Sequence, residues 1–476
     1  MGNSLEKKTM NQKEKTLFFS ILFFTFAWHV FGHFFLYDIY TDEGEYLINA
    51  KNWSQFGILS LEGSYNTAIA PLQTFLHKII FDIFSTGITV ARLVNLLFIM
   101  LTVALAYLFF RNFYNSKIVL SAFLILIVNG VFNEFTTYAA MESKVFFFIF
   151  LSFICCFSSN HNIRRIAFMP FACALAFKAT YIYLCIPIVA TLILKNKAEG
   201  NRLLSKLNAL DVLLFGIGLG LLTFLPFFIA FYLDPVNFFE WGARKAIVNR
   251  IDPISVINDP LNKGLMPTLV YYFQRAPISL VLFFWGFAKA LASKTKSLVE
   301  IFLVLWVVTE ILFYSIMHSV RAPYLLDLIF PLSILSASYL TKIKKLEVFP
   351  NVSAYKLIII SIVSFQIVSS SLYFLWVKPL RPSYETIEWL QENVDNYGTI
   401  MVPSQLSINI QKKTYTTSSD TITINQILNT QDISYPVLCV IQKKAAKIHQ
   451  EDNELLELRA EIIKKIDYFW IYEIQQ

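Results

Sequence analysis

Charged side chains are scarce in this chain, and their scarcity excludes most soluble folds. Asp, Glu, Lys and Arg make up 15% of the 476 residues, whereas 56% are hydrophobic and 46 are phenylalanine. Soluble globular domains carry about 25% charged residues. The mean hydropathy of +0.55 shows the same imbalance. The composition therefore predicts a polytopic membrane protein.

The positions of the cysteines and of the basic residues exclude two further classes of protein. Four of the five cysteines lie in apolar runs and the fifth stands alone near the C-terminus, so neither a disulfide framework nor a metal-ligand spacing is visible. The net charge of +7 would suit nucleic acid. However, the Lys and Arg residues fall mainly in short loops between apolar runs, where they set topology and contact lipid headgroups. We therefore expect membrane lipids as partners and no nucleic acid.

The N-terminus has the pattern of an uncleaved signal anchor. Residues 1–16 contain four lysines ahead of an apolar run at about 17–37, which is roughly the length that crosses a hydrocarbon core. No small-residue cleavage site follows this run. The basic flank predicts that the N-terminus is cytoplasmic.

Basic loops alternate with apolar runs, and their order predicts the topology. The stretches expected in the cytoplasm are 111–117, 161–165, 195–206, 289–296 and 342–345. Parity then requires a span at 88–110, an amphipathic surface helix at 71–84, and two short helices that turn outside near Lys178. Further spans are predicted at 118–132, 144–158, 210–232, 277–292, 297–316, 323–340 and 355–376. The total is about eleven crossings.

From residue 378 onward the composition changes to that of a soluble domain, and the odd number of crossings places it outside. The pattern predicts helices at 383–393 and 451–466 and short buried strands at 399–402 and 436–441. This alternation is typical of a small α/β module. We therefore divide the chain into a cytoplasmic N-terminus (1–16), a membrane domain (17–377) and an outer soluble α/β domain (378–476).

The predicted outer loops carry both carboxylates and cations. Loops that only set topology are poor in Lys and Arg on this side, so Lys178, Arg244, Lys245 and Arg321 indicate an anionic ligand at the membrane surface. Asp42 and Glu43, in a loop that precedes an amphipathic surface helix, could deprotonate an acceptor hydroxyl or amine. The cations would then stabilise a phosphate leaving group.

Glu142 has two interpretations. It could be a further carboxylate of this site, or its charge could merely suit the N-terminus of the helix that follows.

Several short elements in a fixed order resemble a known family. They are Thr41-Asp42-Glu43-Gly44-Glu45-Tyr46, Pro71-Leu72, Ala91-Arg92-Leu93, Tyr138-Ala139-Ala140-Met141-Glu142, Ala176-Phe177-Lys178-Ala179-Thr180-Tyr181, and Arg321 with Tyr324-Leu325-Leu326 and Pro331. Together, over residues 17 to about 340, they resemble the integral-membrane GT-C glycosyltransferases. The resemblance is to the family 39 group, related to dolichyl-phosphate-mannose protein mannosyltransferases and to bacterial aminoarabinose lipid A transferases.

The last element departs from the family pattern. Arg321 and Tyr324 are three residues apart rather than adjacent, and Asp327 stands where proline is common. Asp327 is then either a packed partner of Arg321 or a contact for a lipid headgroup.

The resemblance implies an α-helical polytopic GT-C fold and an inverting enzyme. It would pass one sugar from a polyprenyl-phosphate carrier to a lipid, glycan or protein acceptor at the outer face. Asp42 would be the general base, and Glu43 and Glu142 would orient the acceptor or hold a cation. The residues that would receive the lipid phosphate are Lys178, Arg244, Lys245, Arg321 and Tyr324. The sugar, the acceptor, the carrier and any need for a divalent cation stay open.

A flippase or transporter of a lipid-linked saccharide is the alternative from another class. Transporters usually show internal repeats and charged or broken helices at mid-membrane depth, and we see no repeat here. The residue usage, rich in Phe, Ile, Lys and Asn, favours a bacterial inner membrane. In such a membrane the odd number of crossings places the C-terminal domain in the periplasm.

Overall fold

The structure is a computed structural model, and it is mainly helical. It describes residues 10–57, 70–198, 206–233, 263–317, 322–343, 347–349, 352–353, 381–412, 414–416, 433–442, 459–467 and 469–474, with 256, 258–259, 320, 357, 359–361, 363–365, 367–368, 424, 428 and 456. The first eleven helices are α1 (Gln12–Phe31), α2 (Thr41–Phe56), α3 (Pro71–Phe84), α4 (Ile88–Arg111), α5 (Ser116–Ile127), α6 (Gly130–Thr137), α7 (Glu142–Phe157), α8 (His161–Arg165), α9 (Phe168–Phe177), α10 (Cys185–Ala198) and α11 (Lys206–Leu233). The later helices are α12 (Met266–Arg275), α13 (Pro277–Ala292), α14 (Leu298–Ser315), α15 (Ile329–Leu340), α16 (Pro382–Asn393) and α17 (Ser404–Ser407).

Some helices of the bundle are apolar and long enough to cross a membrane. Among the described residues four segments are long and apolar enough to cross a membrane: Gln12–Leu36, Ile88–Arg111, Val212–Ile229 and Leu298–Ser315. Two bent pairs, α5 with α6 and α12 with α13, bring the number to 6 if each is one span. The count of about eleven stays a prediction, because most of 355–376 lies outside the described residues.

Ion pairs mark the two ends of the bundle. Glu14 in the first turn of α1 accepts a hydrogen bond from Arg111 at the end of α4, with Nη2 to Oε2 at 2.9 Å. The beginning of α1 and the end of α4 therefore lie at the same end, as the predicted parity requires. At the other end, Glu43 in the first turn of α2 pairs with Arg92 near the beginning of α4.

The structure shows the predicted break at Lys178 between two short helices, α9 and α10. Helix α9 ends at Phe177, Lys178 has an extended backbone, and a 3-10 turn at Ala179–Leu184 leads into α10. Between the predicted spans 210–232 and 277–292, where the sequence analysis predicts no helix, the structure has helix α12, while 234–255 lie outside the described residues. The alternation of polar and apolar residues in α12 follows the helical period and was not recognised from the sequence.

The C-terminal module, which comprises the described residues from 381 to 474, contains a five-stranded sheet. Its strands are β3 (Thr399–Val402), β4 (Tyr415–Thr416), β5 (Val437–Gln442), β6 (Ala460–Ile466) and β7 (Phe469–Ile474), in the spatial order β4-β3-β5-β7-β6; the short β1 (Glu347–Phe349) and β2 (Val352–Ser353) pair elsewhere. Strand β3 is parallel to β4 and β5, whereas β7 is antiparallel to β5 and β6.

The predicted helix 451–466 is wrong for its second half. Residues 460–466 form strand β6, which pairs with β7 in an antiparallel hairpin. Asp467 at the turn has a φ of 48°, and the aromatic and β-branched run of β7 offers a strong pairing partner. Tertiary pairing therefore overrides the helical pattern.

The prediction that α2 is an amphipathic helix with a single apolar buried face is also wrong. Its polar residues Asn49, Lys51 and Asn52 are buried along with Leu47. The reason is that the C-terminal module covers the helix, with α17 packed against it. Leu47 of α2 and Leu390 and Ile400 of the module belong to one continuous apolar core.

This packing predicts which positions share one side of the membrane. In a chain whose five cysteines are replaced, single cysteines at half-buried Ser54 of α2 and exposed Asn396 of the module should both react with an impermeant maleimide added to intact spheroplasts. A cysteine at exposed Asn112, just after α4, should react only after the membrane is opened. Labelling of Asn396→Cys only in opened membranes would contradict the shared side.

Candidate active site

The first two predicted site carboxylates lie in a helix rather than in a loop. Helix α2 begins at Thr41, so Asp42 and Glu43 occupy its first turn, where negative charge suits the helix dipole. The Tyr40 backbone N–H donates to Glu43 Oε2 at 2.8 Å, which satisfies a donor that the helix leaves unpaired. Gly57, with a φ of 68°, ends the helix in the left-handed conformation. Asp42 is therefore held by regular secondary structure.

Glu43 is fully buried in an ion pair with Arg92. Arg92 Nε donates to Glu43 Oε1 at 2.9 Å and Nη2 donates to Oε2 at 2.7 Å. The backbone N–H of Ala139 also donates to Oε1, at 2.5 Å. Both oxygens of Glu43 are thus occupied, and the pair ties α2 and α4 to the segment before Glu142.

A second ion pair joins Glu142 to Lys178. Glu142 opens α7 and is buried, and Lys178 Nζ donates to its Oε1 at 2.5 Å. The ammonium also lies 4.3 Å from the ring centroid of Tyr324, near enough for a cation–π contact. Glu142 therefore occupies a helix N-terminus and also forms an ion pair with Lys178.

Tyr46 connects Asp42 to this second pair. Burial raises the pKa of the Tyr46 hydroxyl well above 10, and the neighbouring Asp42, Tyr324 and Glu142 raise it further. Asp42 lies one turn before Tyr46 on the same face of α2, and the charge of Glu142 also acts on the Tyr46 hydroxyl. Asp42 and Glu142 therefore both lie in the surroundings of Tyr46. Tyr46 stays protonated there and can donate a hydrogen bond.

A small polar network supports the segment between α6 and α7. Lys144 Nζ donates to Asn95 Oδ1 at 2.9 Å and to the Ala140 carbonyl at 2.8 Å. Asn95 Nδ2 donates in turn to the carbonyls of Thr136 and Tyr138, at 2.8 and 2.5 Å. Sequence reasoning gave no role to Asn95, although a polar residue inside an apolar run is the signal that could have found it.

Asp327 does not contact lipid headgroups. It is 0% exposed and its Oδ2 accepts hydrogen bonds from the Tyr183 hydroxyl at 2.7 Å and from Trp306 Nε1 at 3.0 Å. It therefore packs inside the bundle, and its predicted pairing with Arg321 involves a residue outside the described ones. The predicted phosphate-binding residues Arg244, Lys245 and Arg321 lie outside the described residues.

An aromatic cleft adjoins the beginning of α2. Its volume is about 330 Å³, and its lining includes Tyr40, Phe135, Tyr138 and Tyr271. Glu134 stands at the cleft, accepts a hydrogen bond from the Tyr271 hydroxyl at 2.8 Å and is therefore held in place. Within the described ranges, no group of three or more His, Cys, Asp or Glu side chains could hold a metal ion.

Two comparisons with known proteins agree with this architecture. The family model described as dolichyl-phosphate-mannose-protein mannosyltransferase matches residues 68–229. The crystal structure of ArnT from Cupriavidus metallidurans bound to undecaprenyl phosphate has 12% sequence identity and a TM-score of 0.65, over 98% of this chain and 98% of that one. The apo structure of the same protein has 11% identity and a TM-score of 0.65, over 96% and 97%. A search of curated protein sequences gave no match. The resemblance to the GT-C glycosyltransferases is confirmed.

The buried Glu43–Arg92 pair predicts a large effect on stability. Arg92→Met would leave Glu43 charged and without its partner in the interior, and removing one member of a buried pair costs about 3–5 kcal/mol. We expect a clear fall in the midpoint of thermal unfolding in detergent.

Lys78→Met is the matched control, because Lys78 pairs with Asp82 on the surface of α3 and the two side chains are 30% and 37% exposed. Pairs of that kind contribute about 0–1 kcal/mol. Equal shifts for the two variants would contradict the role given to Arg92.

Proposed function

We propose that this chain, which has the GT-C fold, transfers a sugar from a polyprenyl-phosphate carrier to an acceptor at the outer face of a bacterial inner membrane. The observation that carries the proposal is the convergence of Asp42, Tyr46, Glu142, Lys178 and Tyr324 at one end of an apolar bundle. Such a site offers a carboxylate that can accept a proton and a cation that can receive a phosphate. That the ArnT structure is bound to undecaprenyl phosphate supports a carrier of this class.

In the proposed reaction Asp42 is the general base. Its carboxylate takes the proton from an acceptor hydroxyl or amine as that atom attacks the anomeric carbon from the face opposite the phosphate. The bond between the anomeric carbon and the phosphate oxygen breaks, the configuration inverts, and the polyprenyl phosphate leaves with the electron pair. Because α2 fixes Asp42 in its first turn, the base is positioned before the substrates bind.

Lys178 receives the leaving phosphate. An ammonium group has three N–H donors, and Glu142 Oε1 uses one of them, so the others can reach a phosphate oxygen. The ring of Tyr324 stabilises the ammonium through the cation–π contact. Arg244, Lys245 and Arg321 are proposed as further phosphate contacts on the evidence of the sequence alone.

Glu43 and Glu142 take different parts in this scheme. Glu43 orients the site through Arg92, because both of its oxygens are already occupied. Glu142 has one oxygen, Oε2, without a hydrogen-bond partner among the described residues, although it is buried. That oxygen is placed to orient an acceptor hydroxyl or to bind a cation.

Asp42→Asn tests the base directly. The amide keeps the size of the side chain but cannot take a proton, so turnover should fall by about 10²–10⁴-fold with expression and folding unchanged. Turnover is measured as undecaprenyl phosphate released from a panel of undecaprenyl-phosphate sugars in the presence of native membranes, detected by mass spectrometry.

Asp82→Asn is the control for this substitution, because Asp82 is an exposed residue paired with Lys78 on α3. Normal transfer by Asp42→Asn would end its assignment as the base. Passage of intact donor across vesicles without any release of undecaprenyl phosphate by the wild type would instead favour the transporter.

Lys178→Met tests the phosphate site. Loss of charge-assisted hydrogen bonds worth about 1.5–3 kcal/mol should weaken binding of undecaprenyl phosphate by about 10- to 100-fold, as measured by native mass spectrometry. Lys342→Met removes a lysine in the same kind of contact, 4.1 Å from the Tyr339 ring, beyond the far end of α15. If both variants bind the lipid equally well, Lys178 does not receive the phosphate.

A further inference from the structure

A lysine is buried where the C-terminal module meets helix α2. Lys51 is 0% exposed, and its Nζ donates a hydrogen bond of 2.7 Å to the backbone carbonyl of Ser407, at the end of α17. Burial lowers the pKa of Lys51 to about 7. Lysine is almost never fully buried without a partner, since desolvation of the ammonium is costly. Apolar packing alone would not need a lysine at this position.

Lys51 and Asp42 lie on the same rigid element. Nine residues separate them, which corresponds to about 13 Å along a helix axis. The last turn of α2 is held as well, because Gln55 Nε2 donates to Gln411 Oε1 of the module at 2.7 Å. The module therefore holds the C-terminal half of α2 by hydrogen bonds, and the first turn of the same helix carries the proposed base, Asp42.

The module also holds the beginning of α4. Asn409 Oδ1 accepts a hydrogen bond of 3.1 Å from the backbone N–H of Ile88, a donor that the helix leaves unpaired. Arg92, one turn further along, donates through Nη1 to the Tyr384 hydroxyl at 3.4 Å. The partner of Glu43 is thus in contact with the module too.

A third contact reaches the segment that leads into α2. The Ser383 hydroxyl donates to Asp38 Oδ2 at 2.8 Å, and Arg381 Nη2 donates to the carbonyl of His33 at 3.0 Å. The module consequently contacts the segment before α2, the C-terminal half of α2, and the beginning of α4, the helix whose Arg92 pairs with Glu43.

We propose that Lys51 is a positioning residue through which the C-terminal module fixes helix α2, and with it Asp42, in the geometry needed for transfer. This inference rests on the proposed function. The module then acts on the active site through helix α2. Loss of its grip would leave the phosphate site around Lys178 intact while misplacing the base, and small misplacements of catalytic groups cost about 10²-fold in rate.

Lys51→Met tests the proposal in the full-length protein. Methionine fills a similar volume but cannot donate to Ser407, so turnover at saturating donor should fall by about 10- to 100-fold while affinity for undecaprenyl phosphate is unchanged. Amides of α2 should exchange hydrogen faster, as measured by mass spectrometry, because the helix is held less firmly.

Lys412→Met is the matched control. Lys412 also donates to backbone carbonyls, those of Val394 and Tyr397 at 3.1 and 3.3 Å, but both lie within the module. We expect wild-type turnover and wild-type exchange in α2 from this variant.

Asn409→Ala provides a second test if Lys51→Met does not fold. It removes the contact with Ile88 and should also lower turnover without changing lipid affinity. Wild-type turnover in the folded variants would overturn the proposal, and so would an equal loss of turnover and lipid binding. If the wild type itself releases no undecaprenyl phosphate, the proposed function fails. If the amides of α2 exchange hydrogen in Lys51→Met as slowly as in the wild type, the claim that the module holds α2 through Lys51 is refuted independently.

Discussion

The buried ion pair between Glu43 and Arg92 is the interaction on which the site depends. It joins the first turn of α2 to α4, and through the Ala139 amide it also fixes the segment that leads to Glu142. Charges removed from water in this way are stable only when every oxygen and N–H finds a partner. The pair therefore fixes the relative positions of α2, α4 and the segment before Glu142. Asp42, next to Glu43 in α2, is positioned by the same contacts.

The parts of the fold that depend on apolar length and on loop charge could be predicted from the sequence. The apolar run of α4 and the basic cluster that begins at Arg111 follow from composition, and the Glu14–Arg111 contact agrees with the predicted parity. The parts that depend on tertiary pairing could not. The sequence pattern of residues 460–466 predicts a helix, but in the fold these residues pair with β7. The pattern of α2 predicts one apolar face, but the module also buries its polar residue Lys51.

The candidate site shows the same division. Asp42, Glu142 and Lys178 could be picked out in the sequence, because charged residues next to apolar runs are uncommon. Tyr324 was named only through the family resemblance. The ion pairs of the site could not be predicted, since Glu43 with Arg92 and Glu142 with Lys178 are 49 and 36 residues apart. Sequence spacing gives no measure of contacts at such separations. The apparent equivalence of Asp42 and Glu43 as an acidic pair disappears once Glu43 is seen to be fully bonded.

The central claim is that the base and the phosphate site share one end of the bundle. A cryo-electron microscopy structure of the full-length protein with undecaprenyl phosphate would test it most directly. We expect the phosphate within hydrogen-bond distance of Lys178 Nζ, on the side of the site bordered by Asp42 and Tyr46, with the isoprenoid chain against the apolar helices. A phosphate bound at the opposite end, near Lys342, with Lys178 still held only by Glu142, would contradict the account.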